Sequence, residues 1–347
     1  MEYNKLGRSD IEVSRICLGS MTWGEQNSET EGHSQMDAAF ERGVNFIDVA
    51  EMYPVTPRAE TYGATEKIIG TWMAARGNRD KVVLATKVIG PGDMFTYIRG
   101  GNLKHTAEGI NAALDESLKR LQTDYLDLYQ VHWPDRNTNF FGQRGYNPAN
   151  ERDFTPPDEV LTTLDKLVSA GKIRTIGLSN ESPWGVMKYL ALSEALGKAR
   201  VVSVQNPYSL LNRLYEVGLA EVSMREDVGL LAYSPLGCGC LSGKYLGGKK
   251  PEGARITLWP DRYKRYTGPN SIKATADYVD LAAKAGLDPS QMALAYLLTK
   301  PFLASVIIGA TTMEQLETNL GAADVTLSED VLNGIEAIHK AYPDPGP

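Results

Sequence analysis

The chain has 347 residues, 42% of them hydrophobic and 23% charged, a globular balance that excludes a disordered or fibrous protein. Its 36 basic and 43 acidic residues leave a formal net charge of −7 with no basic block, which argues against a nucleic-acid partner. No run reaches the roughly 18 apolar residues of a membrane helix, the first ten residues lack the apolar stretch of a signal peptide, and three cysteines suit a reducing compartment, so a cytoplasmic protein with no membrane partner is expected.

In chain order, residues 3–6 and 11–13, joined across Gly7-Arg8-Ser9-Asp10, have the pattern of a small hairpin. Eight short apolar runs follow: RICLGS (15–20), VNFIDVA (44–50), KVVLATKV (81–88), YLDLYQVH (125–132), IRTIGLS (173–179), VVSVQN (201–206), VGLLAYS (228–234) and ASVIIGA (304–310). They are nearly continuous in Val, Ile and Leu, as strands buried on both faces of a parallel sheet are.

Amphipathic segments lie between them. Residues 28–43 open on a Ser cap and close on Gly. Residues 106–122 place apolar side chains three and four apart and gather basic ones near the end. Residues 155–171 run Thr, then Pro, then acids in the first turn, with Gly after the end. Strand and helix alternating eight times specify an α/β protein, a (β/α)8 TIM barrel with an N-terminal hairpin. No linker divides the chain, so residues 1–347 are expected to form a single domain. Two long loops, 135–156 and 237–270, follow the fourth and seventh strands and belong at the C-terminal mouth.

Four polar residues fall where strands end. Asp48 closes VNFI, Tyr53 follows five residues later, Lys87 ends VVLAT and His132 ends YLDLYQV. Singly, each could mark the return of the chain to solvent. Together, an acid, a base, a phenol and an imidazole at one mouth suit carbonyl chemistry. A phenol of pKa ~10 needs about 4 kcal/mol of tyrosinate stabilisation to approach 7. An ammonium ~4 Å away, at an effective dielectric near 20, supplies about that much. Lys87 is expected to be that ammonium, Asp48 its counter-charge, and His132 the group that orients a substrate oxygen.

The segments NFIDVAEMY, ATKV, LDLYQVHWP, GKIRTIGLSN and LLAYSPLGCGCLSGKY strongly resemble the aldo-keto reductases, and the resemblance runs nearly end to end. It extends to the potassium-channel β-subunit-like branch of that family. The resemblance implies Tyr53 as general acid, Lys87 and Asp48 as its tuning pair, and His132 as the residue that orients the substrate. It implies reduction of a small-molecule aldehyde or ketone to an alcohol, and NADPH as cofactor, with NADH left open as the alternative. No G-x-G-x-x-G opens a βαβ unit, as expected of a family that binds the dinucleotide without a Rossmann domain.

By the same resemblance Ser179, Asn180 and Gln205 hold the carboxamide, and Tyr233 stacks on the nicotinamide. Ser20, Met21 and Asp48 complete that end. Ser234, Pro235, Leu236 and Gly239, with Lys244 and Arg255, form a strap over the pyrophosphate, a chemistry that backbone amides and two cations suit. Gly309, Thr311, Gln315 and Asn319 match the adenosine end. Thr311 and Thr312 stand where many relatives carry other 2′-phosphate ligands.

Trp23, Trp133, Phe140, Phe141 and Tyr208 follow strands and are candidates for an apolar substrate wall. Glu181 stands where many relatives carry an aromatic. Tyr245/Lys249 and Tyr296/Lys300 imitate a dehydrogenase spacing by chance. Cys238 and Cys240 lack a nearby His, so no metal is expected. His33, His105 and His339 are expected on helix surfaces. The rival functional reading is a nicotinamide-binding sensor or interaction subunit with slow residual chemistry. The sequence leaves oligomeric partners undefined.

Overall fold

The computed structural model describes residues 1–347. Two short strands, β1 (Tyr3–Lys5) and β2 (Glu12–Ser14), pair antiparallel as the expected hairpin. Eight further strands close into an all-parallel barrel in chain order: β3 (Ile16–Gly19), β4 (Phe46–Asp48), β5 (Val83–Val88), β6 (Leu126–Val131), β7 (Ile173–Ser179), β8 (Val201–Pro207), β9 (Gly229–Tyr233) and β10 (Leu303–Ile308). The (β/α)8 architecture is therefore present. Most strands are shorter than the apolar runs that encode them, because the flanking residues turn away from the ladder.

The helices form where capping and periodicity specify them. Helix α1 (Glu29–Glu41) has a capping box: the Glu31 amide donates to Ser28 Oγ, and the Ser28 amide to Glu31 Oε2 at 2.7 Å. After α2 (Ala64–Arg76), α3 (Ala107–Leu121) starts on Thr106, whose Oγ1 accepts from the Gly109 amide at 3.2 Å. Ile110, Ala113, Leu114, Leu118 and Leu121 bury one stripe of α3, and Gln122 ends it in the left-handed region at φ 54°. Helix α4 (Pro157–Ser169) departs from expectation at its start. Pro156, not Thr155, occupies the cap, and the Thr155 amide donates to Asp135 Oδ2 at 3.0 Å instead.

The hairpin closes the base of the barrel. Leu6, Ile11 and Val13 pack with Cys17, Phe46, Val83, Leu128, Val202, Leu231 and Ala304 in one buried cluster. Gly7 is required at the turn: at φ +57° a Cβ would lie 2.6 Å from the Val202 carbonyl oxygen. The hairpin is also tied to the last barrel strand. Asn4 Nδ2 donates to the Leu303 and Ala304 carbonyls at 3.1 Å, and Ser305 Oγ to the Ser14 carbonyl at 2.8 Å. The opposite end, where the strands finish, stays open under the 135–156 and 237–270 segments. No helix is long and apolar enough to cross a membrane.

Candidate active site

The site begins with strand register. Lys87 on β5 sits opposite Gln130 on β6, and Asp48 is the last residue of β4. All three are buried. Lys87 Nζ donates to Asp48 Oδ2 at 2.6 Å and to the Val49 carbonyl at 2.8 Å. The other carboxylate oxygen, Oδ1, accepts from Gln205 Nε2 at 2.8 Å and Gln130 Nε2 at 3.1 Å. Ser20 Oγ donates to the Asp48 carbonyl at 2.7 Å. Burial works against the Lys87 ammonium, but Asp48, with Tyr53 and Cys17 adding to it, raises the pKa, so Lys87 stays charged.

Tyr53 stands on the loop after β4, half-buried, with Lys87 Nζ 5.0 Å from its ring centre. The structure departs here from the electrostatic expectation. Burial pushes the phenol above its ordinary pKa of 10, against the pull of Lys87. Burial is the larger effect, and Asp48, which touches the ammonium, offsets part of its pull. His132, the first residue after β6, lies edge-on to Tyr53 with ring centres 6.0 Å apart. Burial, with Lys87 and His105 adding to it, pushes the imidazole pKa well below 6.5. At neutral pH the site thus holds a protonated phenol, a neutral imidazole and a compensated ammonium.

A second net joins this cluster to the neighbouring strand ends. Asn180, left-handed at φ 53°, donates through Nδ2 to the His132 carbonyl at 2.8 Å and to Ser179 Oγ at 3.1 Å. Its Oδ1 accepts from Tyr233 Oη at 2.7 Å. Ser179 Oγ donates to the Gln205 carbonyl at 2.8 Å. Ser179, Asn180, Gln205 and Tyr233 are thereby one hydrogen-bonded unit running into Asp48.

A cavity of about 1460 Å³ opens above these residues. Every residue singled out above for the dinucleotide lines it, from Ser20 and Met21 to Asn319. Gly239, at φ +88°, lets Lys244 pass over it; a Cβ there would lie 2.7 Å from Lys244 Cε. Lys244 and Arg255 are both part-buried, and no carboxylate perturbs either. Burial and then Arg255 lower the Lys244 pKa. Two desolvated cations without a counter-ion fit an anionic bridge. At the far end Thr312 caps the helix Met313–Gly321, and the Thr311 amide donates to Gln315 Oε1 at 3.1 Å. The cavity, its paired cations and this helix start suit a dinucleotide.

The apolar candidates divide. Trp133 and Phe141 line the cavity, their rings 5.5 Å apart. Phe140 does not line it and packs edge-on behind Phe141. Trp23 is fully buried and donates to Gln35 Oε1 at 2.8 Å, so it is core. Tyr208 is likewise buried, its hydroxyl bonded to Glu216. Both indole and phenol found partners inside the protein, which explains why residues following strands need not face the mouth.

Glu181 also faces inward. Arg136 grips it with both amino nitrogens, one at 2.9 Å, so the acid does not make the cavity wall polar. Tyr296 is core, donating to Glu336 Oε1 at 2.7 Å, and Tyr245 packs under the strap beside Lys244. His33 lies half-buried between α1 and α2, against the Ile68 carbonyl, and His339 is half-buried on Glu329–Ala341. His105 is no surface residue: it is buried in the loop before α3, beside Asp135.

Sequence reasoning missed Gln130, Phe95 and Arg265. Gln130 alternates inward with Leu128 and His132, a signal that was available. Phe95 and Arg265 line the cavity from irregular segments, where no periodicity announces them.

A closed parallel barrel thus carries Asp48, Tyr53 and His132 at its cavity, with Lys87 bonded to Asp48 beneath them. The family model described as "Aldo/keto reductase family" matches residues 15–340, and the chain belongs to that family. It is an oxidoreductase by that membership. It is 54% identical to "Protein tas" of Escherichia coli (strain K12) over 100% of both chains. It is 35% identical to "Uncharacterized oxidoreductase YrpG" of Bacillus subtilis (strain 168), over 100% of this chain and 97% of that one. It is 37% identical to "Aldo-keto reductase" of Babesia bovis, over 76% of this chain and 98% of that one.

Proposed function

We propose that the chain reduces an aldehyde or ketone to the alcohol with NADPH, all 347 residues acting as one catalytic domain in the cytoplasm. The observation that carries this reading is the placement of Tyr53, His132 and the Asn180–Tyr233 net around one end of the cavity, above the Lys87–Asp48 pair. When bound, the dinucleotide supplies the hydride that the carbonyl carbon receives.

The protein's own residues do the rest. Tyr53, protonated at neutral pH, gives its proton to the carbonyl oxygen. Lys87 lies close enough to steady the tyrosinate as it forms, while Asp48 keeps the ammonium buried and charged. His132, neutral, donates to the same oxygen and fixes its direction. Trp133 and Phe141 give the substrate an apolar wall. Ser179, Asn180 and Gln205 present amide and hydroxyl groups to the carboxamide, Tyr233 its ring, and Lys244 and Arg255 their charge to the pyrophosphate.

The preference for NADPH over NADH rests on the family alone, because both nucleotides carry the pyrophosphate that the two cations would meet. Parallel titrations with NADPH and NADH, followed by quenching of the five tryptophans, test it. NADPH binding with turnover of simple carbonyls is expected. Binding of neither nucleotide by folded protein would overturn the proposal.

A further inference from the structure

A buried carboxylate that the mechanism does not use sits two residues before Tyr53. Glu51 is sealed from solvent and does not line the cavity. Its oxygens accept four hydrogen bonds from three segments. Oε1 takes the Ile89 amide at 2.7 Å and Arg99 Nη2 at 3.0 Å. Oε2 takes Arg99 Nη1 at 2.5 Å and Tyr62 Oη at 3.2 Å. Ile89 follows β5, the strand that carries Lys87, and Arg99 lies between β5 and α3. Tyr62 belongs to the same β4–α2 loop as Tyr53.

These contacts converge on the turn that presents Tyr53. The Tyr53 amide donates to the Ala50 carbonyl at 2.9 Å, and the Gly63 amide to the Tyr53 carbonyl at 3.1 Å. Tyr62 to Glu51 and Gly63 to Tyr53 are thus two adjacent rungs across one loop. Toward β5, the Glu51 amide donates to the Lys87 carbonyl at 3.3 Å, and the Ile89 amide ties the side chain to the same strand end. The carboxylate therefore joins the two segments whose spacing sets Tyr53 against Lys87. Met52 and Val55, on either side of Tyr53, pack with Phe95 and Ile98 of the Arg99 segment in one buried apolar cluster.

Two features set the Glu51–Arg99 pair apart from packing. A buried ion pair often adds little net stability over an apolar pair of similar volume. What the two parallel N–H to oxygen bonds contribute is direction. Arg99 also keeps a left-handed backbone at φ 46°. A residue with a side chain holds that conformation where its surroundings impose it, and such residues cluster at functional sites.

We propose that Glu51, gripped by Arg99, is a positioning residue that holds Tyr53 at its working distance from Lys87 and the reacting carbonyl. The inference deepens the reductase reading and, where it concerns turnover, rests on it.

The test compares wild type with the double variant Glu51→Gln/Arg99→Met, which removes the ion pair, strands no charge and leaves Ile89 an acceptor. There kcat for a simple aldehyde should fall about 10- to 100-fold, the effect of a misplacement of about 1 Å. NADPH affinity, read by tryptophan quenching, should stay within about twofold, because neither residue lines the cavity. The solvent deuterium isotope effect on kcat should rise, because proton transfer from a displaced Tyr53 becomes limiting. Arg99→Lys, which keeps the charge without the two-pronged grip, should lose less. Wild-type kcat and isotope effect in the folded double variant would overturn the proposal. So would an equal loss of kcat and NADPH affinity, which marks a general disturbance. If the double variant does not fold, Arg99→Lys decides, and an unchanged kcat and isotope effect there overturns the proposal. A crystal structure of the variant gives a readout without turnover. The separation of Lys87 Nζ from the Tyr53 ring centre, 5.0 Å in wild type, should change by about 1 Å. An unchanged separation overturns the proposal, whereas a wild-type protein without carbonyl turnover would sink the reductase reading alone.

Discussion

Lys87 Nζ lies 2.6 Å from Asp48 Oδ2, and both groups are sealed from solvent beneath the cavity. Val49 takes a second ammonium proton, and Gln130 and Gln205 satisfy the other carboxylate oxygen of Asp48. Such a pair does little for net stability, yet removing one partner strands a buried charge. Lys87→Met should therefore lower the unfolding free energy by about 3–5 kcal/mol and abolish turnover. Urea denaturation at neutral pH measures the first effect. A stability within error of wild type would show that water reaches Asp48.

Tyr53→Phe should leave the ladder, the Lys87–Asp48 pair and nucleotide binding intact, because Asp48 and Val49 hold Lys87 without the Tyr53 hydroxyl. Turnover should fall by about 10²- to 10⁴-fold, the contribution of a positioned proton donor. Steady-state reduction of a simple aldehyde, with tryptophan quenching by NADPH alongside, checks both halves. Near-wild-type turnover would remove Tyr53 from the proton path.

Arg255→Ala removes one of two cations that have no carboxylate partner. Loss of a charge-assisted contact worth about 1.5–3 kcal/mol should weaken nucleotide binding about 10- to 100-fold. Because the proposed contact is with the pyrophosphate, NADPH and NADH should weaken together. A loss confined to NADPH would move Arg255 to the 2′-phosphate.

His132 gives a pH dependence with a definite sign. Burial, then Lys87 and His105, depress its folded pKa below the ordinary value of 6.5. Below about pH 6.5 the unfolded chain binds a proton that the folded chain refuses. The stability tied to this residue is thus present above 6.5 and lost as pH falls toward the folded pKa. His132→Gln should flatten that loss, by at most about 1.4 kcal/mol per pH unit. Urea midpoints for both proteins across the mildly acidic range measure it; parallel curves would show that the imidazole is hydrated in the folded state.

Arg136 and Glu181 tie the 135–156 loop to the loop that carries Asn180. Glu181→Leu should cost about 3–5 kcal/mol by leaving Arg136 buried without its partner. The double change Arg136→Met with Glu181→Leu should recover most of that. Equal losses in single and double variants, read from thermal or urea unfolding, would assign the cost to packing instead.

The barrel was legible because its signal is repeated. Eight apolar runs, each followed by a capped amphipathic segment, leave few other architectures, and the register of β4, β5 and β6 brings Asp48, Lys87 and His132 together once the barrel closes. Helix starts were legible where a side chain does the capping, as at Ser28 and Thr106, and were misread at Thr155, where a distant carboxylate takes the amide. The candidate apolar wall was legible only in part. Trp23 and Tyr208 follow strands just as Trp133 does, but Gln35 and Glu216 draw their polar ends inward, and a sequence does not display partners that lie far along the chain. His105 was misjudged for the same reason: its buried neighbour, Asp135, belongs to another loop.

The closing contact of the barrel has a temporal consequence. β10 pairs with β3 to shut the barrel, and beside that seam Ser305 meets Ser14 of the hairpin across 291 positions of chain. A ribosome must therefore release almost the entire polypeptide before the cylinder can shut. Until then β3 and β9 present unpaired ladders, the kind of margin that recruits other chains. Losing the final strand would accordingly yield not a smaller enzyme but an open, adhesive sheet.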